Sequence, residues 1–324
     1  MVGVQQIGAQ AVVGFTEVMI DAAPSATAPQ LTAISVTFLN KREFSGQATI
    51  QDDFDADPDG NASTSDGRQS LSFAGASFAA GAYTAVPHLI YLENENGAEE
   101  GFLILEHDTS GGVTISTNFD LRGALGSDSP FPAAQMGVIR RANTLDTIFQ
   151  SIEGDIHPND SFYLWSGSWK EYNFNGYWQT PGNPFSDAGP TVVFPDEGMF
   201  VLRSQTSAIA LGIRGEVPEK VQSSSVTVSG LKFASNRYPI ASTLGAQGIE
   251  NLDGWNNQDD DVYLWSGTSW RQYNYDGSSW RSVGNPFVDS GSTVIEANTA
   301  IFLSRSASTN TRLEPDKPYG DFNP

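Results

Sequence analysis

Phe162-Tyr-Leu-Trp-Ser-Gly-Ser-Trp-Lys-Glu-Tyr-Asn-Phe-Asn-Gly176 decides the fold, because the chain repeats it as Val262-Tyr-Leu-Trp-Ser-Gly-Thr-Ser-Trp-Arg-Gln-Tyr-Asn-Tyr-Asp-Gly277. The match continues from residues 182–189 to 284–291 and ends with 199–204 opposite 301–306. The offset grows only from 100 residues (162 to 262) to 102 residues (199 to 301), which indicates an internal duplication. Because this period exceeds the 20–50 residues of solenoid and propeller repeats, it predicts two related modules.

Each copy has the pattern of short antiparallel strands joined by turns, such as the turn at Ser266-Gly267. Side chains alternate along a strand, so Tyr263 and Trp265 share one face while Val262 and Leu264 share the other. Both faces are apolar or aromatic. The pattern therefore predicts a sheet that is covered on both sides.

The composition predicts an all-β fold of antiparallel β-sandwich-like modules with few short helices. Glycine (32) and proline (17) are frequent and aromatic residues reach 11%, a profile typical of many short strands and turns. A β-hairpin is predicted over residues 86–107, where two apolar runs flank an Asn/Gly-containing turn. The best helical segment is 142–149, with Asn143 or Thr144 as its N-cap.

The domain prediction follows from the repeat. An N-terminal module over residues 1–218 contains an acidic insertion at 52–67 and the first repeat at 162–204. A C-terminal module over residues 219–324 contains the second repeat at 262–306 and an extended tail at 311–324. The polar, proline-containing stretch near 215–225 is the predicted junction. The first copy follows a much longer segment than the second. A single body with interleaved strands therefore stays an alternative to two separate modules.

Charge and composition exclude several function classes. With 38 acidic and 17 basic side chains the net charge is −21, which argues against nucleic-acid binding because that needs a dense basic surface. The absence of cysteine excludes disulfides and thiolate metal sites. No apolar run reaches the roughly 18 residues of a membrane-spanning helix. The N-terminus lacks the pattern of a signal peptide, so an exported protein is expected here in its mature or recombinant form.

Four segments carry a resemblance to a known family: Val13-Gly-Phe15, Tyr91 through Ala98-Glu-Glu-Gly101-Phe, Val113-Thr-Ile, and Tyr163-Leu-Trp-Ser-Gly167 with Trp169. In these segments the chain resembles an uncharacterised family of secreted, β-rich proteins found mainly in verrucomicrobial bacteria. The resemblance covers residues 11 to about 214, with the C-terminal module as a partial second copy, and it brings no catalytic residue. It implies export, an extracellular or cell-surface location and a β-sandwich-like architecture.

An acidic loop is the best candidate metal site. Its oxygen-bearing residues follow the spacing of a calcium loop, with Gly60 at the sharp turn. The predicted Ca²⁺ ligands are Asp55, Asp57, Asp59, Asn61, Ser63 and Asp66. The alternative is a solvated acidic loop. A second acidic run, Asp259-Asp-Asp261, is a weaker candidate that fits a charge cluster at a strand edge better.

Repeated tryptophans are the candidate ligand or interface residues, because aromatic faces bury a large area on sugars and proteins. These are Trp165, Trp169 and Trp178 in the first copy and Trp265, Trp270 and Trp280 in the second. Since both copies carry them in the same frame, structural packing is the favoured interpretation and sugar platforms are the alternative.

The proline-rich tail at 311–324 cannot be helical. It either packs on its own module or docks on a neighbouring subunit as an extended arm. The candidate arm residues are Pro315, Pro318, Tyr319 and Phe322.

The sequence predicts a structural protein and not an enzyme. His88, His107 and His157 lie in unrelated contexts, and no nucleophile elbow, zinc-protease, phosphate-loop or dinucleotide motif is present. The expected partner is the protein itself, in an extracellular or cell-surface filament or layer. The alternative is a surface protein that binds polysaccharide through its Trp/Tyr platforms. A carboxylate glycosidase would need two acids converging in a cleft.

Overall fold

The computed structural model describes residues 11–25, 27–60, 67–125, 128, 130–226, 229–307 and 309–319 of the chain. Most of its regular structure is β-strand, the paired strands run antiparallel, and the one α-helix in these ranges is short. None of the helices found there combines the length and the apolarity that crossing a bilayer requires. The prediction of an all-β fold with antiparallel modules and few short helices is confirmed.

The first repeat is interrupted by a barrel. It opens with β1 (Val13–Ile20) and β2 (Gln30–Ser35), after which the chain forms six barrel strands that close in the order β3-β4-β7-β6-β5-β8. These are β3 (Arg42–Ile50), β4 (Arg68–Phe73), β5 (His88–Glu93), β6 (Glu99–His107), β7 (Gly112–Ser116) and β8 (Ala134–Arg141).

Alternating side chains fill the barrel. In β4 every second residue is buried, and phenylalanines occupy much of the interior. Phe102 and Phe131 meet edge to face with ring centroids 5.6 Å apart. The hairpin predicted over residues 86–107 is confirmed as β5 and β6, and the Asn94 N–H donates to the Ala98 carbonyl across its turn at 2.9 Å.

The first repeat resumes directly after the barrel. Its helix is capped by Thr144, whose Oγ1 accepts from the Thr147 N–H at 3.3 Å, so Thr144 is the cap of the two predicted. The elements are β9 (Asn143–Thr144), α1 (Leu145–Phe149), a 3₁₀ helix (Gln150–Asp155), β10 (Ser161–Trp165), β11 (Trp169–Phe174), β12 (Trp178–Gln179), β13 (Val192–Val193), β14 (Gly198–Arg203) and β15 (Ile209–Glu216).

The second repeat follows without an insertion. Two short 3₁₀ helices replace the α-helix of the first repeat. The elements are β16 (Ser224–Val226), β17 (Gly230–Ser235), β18 (Ser242–Thr243), the 3₁₀ helices (Leu244–Gln247 and Ile249–Asn251), β19 (Asp261–Trp265), β20 (Trp270–Tyr275), β21 (Trp280–Ser282), β22 (Val294–Ile295), β23 (Ala300–Arg305) and β24 (Thr311–Leu313).

The duplication is larger than the sequence motif shows. One five-stranded sheet has the order β12-β11-β10-β14-β2 and the other has β21-β20-β19-β23-β17, so β2 and β17 are counterparts. The repeat therefore begins before the barrel, and the barrel is inserted between β2 and β9. The predicted boundary at 218/219 does fall between the repeats, but residues 1–218 contain two bodies, the barrel and the first repeat.

The two faces of the motif strands behave as predicted. In β10, Phe162 and Leu164 enter the core of the first repeat beneath α1. In β19, Val262 enters the second core, with Leu264 packed against it. The tyrosines and tryptophans between them point to the opposite face, where the other repeat covers them. Both sides of each sheet are thus covered, which explains why neither strand face is polar.

A buried aspartate fixes the start of each motif strand. Asp260 accepts hydrogen bonds from the Asn256 N–H at 2.9 Å and from the Ser306 N–H and Oγ, both at 2.6 Å. In the first repeat Asp160 accepts from the His157 N–H and from the Ser204 N–H and Oγ in the same way, and it also forms an ion pair with Arg203. The acidic run at 259–261 therefore contains a structural carboxylate, as expected from a buried acceptor that needs partners.

We predict that Asp260→Ala lowers the free energy of unfolding by about 3 kcal/mol, because two backbone N–H groups lose their acceptor in a buried site. Asp259→Ala is the matched control, since Asp259 is exposed and its loss should change the free energy by less than about 0.5 kcal/mol. Urea unfolding followed by tryptophan fluorescence measures both. Equal effects of the two substitutions would contradict this role for Asp260.

Candidate functional site

The two five-stranded sheets pack against each other through their aromatic faces. At the centre, Phe233 stacks between Phe200 and Phe302, with ring centroids 4.8 and 4.6 Å away and interplanar angles of 24° and 29°. We call this contact the aromatic layer. It comprises Ala33, Phe200, Phe233, Ala300 and Phe302, with Leu31, Tyr163, Trp165, Tyr263 and Trp265 packed against them.

Hydrogen bonds cross the aromatic layer in a two-fold pattern. The Trp165 indole N–H donates to the Leu231 carbonyl at 3.0 Å, and the Trp265 indole N–H donates to the Leu31 carbonyl at 3.0 Å. Trp165 of the first repeat therefore binds β17 of the second repeat, and Trp265 of the second repeat binds β2 of the first, which is the counterpart of β17. The polar edge of each ring has a partner, which is what a packed indole requires.

The two sheets approach each other closely at Gly198, the first residue of β14. A Cβ at this position would collide with the Cβ of Ala300 and touch the ring of Phe233 at 3.0 Å. Ala300 is the counterpart of Gly198 in the second repeat, so a small residue from each copy meets at the same point. The close approach lets the phenylalanines on either side stack.

One side of the aromatic layer opens as a groove of about 380 Å³. Trp169 and Trp270, which occupy equivalent positions, flank it and are 39% and 37% exposed. The lining is apolar apart from the Tyr163 hydroxyl and the indole N–H groups. We call it the aromatic groove, and its lining residues are Leu31, Tyr163, Trp169, Phe200, Leu202, Trp270 and Phe302.

Trp178 and Trp280 lie elsewhere. They are 0% and 2% exposed and belong to the separate cores of the two repeats. Trp178 contacts Phe162 edge to face at 4.8 Å. Trp178 and Trp280 therefore serve structural packing, the favoured interpretation, and not the ligand surface given as its alternative, because β12 and β21 turn their tryptophans toward the cores and away from the aromatic layer.

The most exposed aromatic residues were not among the predicted ones. Phe185 and Phe287 sit on equivalent tight turns and are 96% and 91% exposed. Around Phe287, Val283 and Val288 are also 63% and 55% exposed. The sequence carried a signal for these two residues, since Asn-Pro-Phe recurs in both turns. A large apolar side chain in a turn is not part of a strand whose face could be covered by the core. We call Val283, Phe287 and Val288 the second-repeat tip.

The acidic loop is described only up to Gly60. There Asp55 pairs with Arg68 through backbone hydrogen bonds, and the Asp57 N–H donates to Asp55 Oδ1 at 3.1 Å. Asp59 is also described, whereas Asn61, Ser63 and Asp66 lie outside the described residues. No group of three or more acidic or histidine side chains converges on one point in the described part of the chain. Calcium binding stays a prediction.

The tail packs on its own chain as far as it is described. β24 pairs with β16, Tyr319 donates to the Pro218 carbonyl at 2.8 Å, and the Pro315 carbonyl accepts from Tyr238 Oη at 3.0 Å. Pro315 is buried, whereas Pro318 is exposed. Of the two alternatives, Pro315 and Tyr319 follow packing on their own chain and not an arm reaching a neighbour, because both are engaged within the chain. Phe322 lies outside the described residues.

A polar cavity of about 400 Å³ lies between the barrel, the second repeat and the tail. Asp128 and Glu314 line it, but their carboxylates hold the tail in place. Asp128 Oδ2 accepts from Thr311 Oγ1 at 2.8 Å, and Glu314 Oε1 accepts from Ser223 Oγ at 3.1 Å. These contacts indicate a structural role for both carboxylates.

Partly buried charges line the seam between the repeats. The Asp196 carboxylate accepts from Lys232 Nζ at 2.9 Å and Ser224 Oγ at 2.5 Å. Burial alone would raise the pKa of Asp196, but the Lys232 ammonium and Arg237 guanidinium outweigh it and lower the pKa to about 2. Burial and the neighbouring Asp196 carboxylate raise the pKa of Glu197 to about 8, so Glu197 is largely protonated at neutral pH.

We predict that Glu197→Gln flattens part of the pH dependence of stability. Folding raises the pKa of this carboxyl from 4.5 to about 8. The stability that the carboxyl contributes to the fold is therefore fully present below pH 4.5 and is lost as the pH rises to 8. The variant should therefore gain stability relative to the wild-type protein across that window and no further above it.

Urea unfolding at a series of pH values between about 5 and 9 measures this difference. Glu106→Gln, at an exposed position, serves as the control and should show no such trend. A difference between Glu197→Gln and the wild-type protein that does not vary with pH would show that Glu197 is ionised in the fold.

No family model, no curated protein and no solved structure matches this chain.

Proposed function

We propose that the protein is an exported structural subunit that associates with copies of itself in an extracellular or cell-surface filament or layer. The observation that carries the proposal is the second-repeat tip, where three apolar side chains project from one turn into water. An exposed apolar patch of this kind is typical of an interaction site. Burying Phe287 alone is favourable by roughly 1.5–3 kcal/mol.

The surrounding structure suits a building block. The aromatic faces of both repeats are buried against each other in the aromatic layer, and this contact joins the two repeats into one unit. The barrel is tied to this unit through the Arg140–Glu216 ion pair and through Glu100, which accepts from the Ser225 N–H at 2.8 Å. A subunit whose parts are fixed relative to one another loses little conformational entropy when it assembles.

Polysaccharide binding is the second candidate function. The observation in its favour is the pair Trp169 and Trp270, whose partly exposed rings flank the aromatic groove. The groove offers few hydrogen-bonding groups, whereas ligand sites orient their ligands through several well-placed polar groups. Self-association is therefore the better supported of the two.

We predict that the mass measured by light scattering rises above the 34.8 kDa of one chain as protein concentration increases. The net charge of −21 opposes association, so the rise should be steeper in 0.5 M than in 0.05 M sodium chloride, because salt screens repulsion between exposed charges. Electron micrographs of the same samples identify filaments or layers. A constant mass of one chain under all of these conditions would contradict self-assembly.

A further inference from the structure

We propose that the second-repeat tip of one molecule docks into the aromatic groove of another copy of this chain. This inference rests on the proposed self-association and names the two surfaces that meet. Phe287 is the side chain that enters the groove, and Val283 and Val288 cover its rim. The groove residues that receive it are Trp169, Trp270 and Leu202, above the floor formed by Phe200 and Phe302.

The size of the aromatic groove fits such an occupant. An apolar cavity of about 150 Å³ is large enough to bind a benzene ring. The groove measures about 380 Å³, so it has room for the Phe287 ring and part of the flanking valines. It opens between Trp169 and Trp270, whose exposed fractions would fall on docking. Aromatic rings that meet edge to face there add to the gain from burial alone.

The chemistry of the groove favours an apolar occupant over a sugar. The groove's only polar side-chain groups are the Tyr163 hydroxyl and the indole N–H groups of Trp169 and Trp270. A sugar would leave most of its own hydroxyls without partners in this site, at a cost for each buried polar group. A phenylalanine has no such cost.

The chain itself supplies a matching occupant. Phe287 is 91% exposed, and its turn is closed by a hydrogen bond from the Asn285 N–H to the Ser282 carbonyl at 3.0 Å. The three tip side chains are uncharged, so docking them into the apolar groove buries no charge of a molecule that carries −21 overall. A copy of the chain thus brings an apolar knob whose own three side chains carry no charge.

Differences between the two repeats determine which repeat supplies the tip and which supplies the groove. In the first repeat, Ser186 and Pro181 stand where the second has Val288 and Val283, so the first turn exposes only Phe185 as a large apolar side chain at these positions. In β14 the groove residue is Leu202, whereas its counterpart in β23 is Ser304. The tip therefore belongs to the second repeat, whereas Leu202 on one side of the groove belongs to the first repeat.

A contact between two different surfaces is heterologous. Such contacts form closed rings when the rotation between neighbours closes, and open filaments when it does not. Each molecule would donate one tip and accept another. The proposal thus predicts chains of molecules that all run in one direction, with an unused tip at one end and an unused groove at the other.

A complementation experiment tests the docking directly. Phe287→Ser removes the knob and leaves the groove intact, whereas Leu202→Glu places a carboxylate in the groove and leaves the tip intact. We expect each variant alone to associate at least about tenfold more weakly than the wild-type protein. An equimolar mixture should form a one-to-one complex and stop there, because only one tip and one groove remain compatible.

Phe185→Ser is the matched control, since it removes an equally exposed phenylalanine from the equivalent turn. It should associate as the wild-type protein does. Circular dichroism and thermal unfolding check that each variant is folded. If Leu202→Glu does not fold, Leu202→Ser replaces it, because the second repeat already has serine at the corresponding position of its sheet.

The outcomes separate the two proposals. If the wild-type protein associates but a folded groove variant associates equally well, docking into the groove is wrong while self-assembly stands. Equal losses in Phe185→Ser and Phe287→Ser would also overturn the docking, since the contact would not be specific to the second-repeat tip. A wild-type protein that never associates would remove both proposals, and binding of the groove to a soluble polysaccharide instead would favour the alternative function.

Discussion

The stacking of Phe233 between Phe200 and Phe302 is the interaction on which the rest of the structure depends. Each repeat has an apolar core of its own and a second apolar face that it cannot cover alone. Joining the two aromatic faces removes both from water at once, and the reciprocal indole hydrogen bonds of Trp165 and Trp265 set their orientation. The duplication thus supplies each copy with its own complementary partner, as a symmetric dimer would, but within one chain.

The barrel fits into this arrangement because it enters and leaves at neighbouring points of the first repeat. Its insertion between β2 and β9 leaves β2 free to pair with β14, just as β17 pairs with β23 in the copy without a barrel. Buried charges then fix the bodies to one another. Glu100 of the barrel forms an ion pair with Arg312 of β24, and Arg312 also lies over the rings of Phe119 and Phe131.

The sequence allowed much of the fold to be predicted, because the deciding signals are local. Alternation in Phe162–Trp165 and Val262–Trp265 gave the two faces correctly, and the turn residues gave the hairpin of β5 and β6. The extent of the repeat was missed because β2 and β17 share little beyond Leu31 with Leu231 and Ser35 with Ser235, and a barrel separates β2 from the motif. Long-range pairing of such short strands leaves no periodic signal of its own.

The candidate site was only partly predictable, for a related reason. Which of six similar tryptophans reach the surface depends on how two sheets pack, and alternation cannot distinguish a face that is covered by a core from one that is covered by another repeat. Trp178 therefore looked equivalent to Trp169 although it is fully buried. Phe287 was not among the candidate residues because the Asn-Pro-Phe turn does not indicate whether its apolar side chain packs, and only the three-dimensional arrangement shows that it does not.

Hydrogen–deuterium exchange on Phe233→Ala tests most directly whether the aromatic layer makes one unit of the two repeats. Phe233 belongs to the second repeat, yet the account expects exchange to increase in β10 and β14 of the first repeat as well, because their aromatic face loses its central partner. Leu231→Ala, at an exposed position two residues away on the same strand, should leave those strands protected. An increase confined to the second repeat in the Phe233 variant would mean that the repeats are independent and that the aromatic layer does not hold them together.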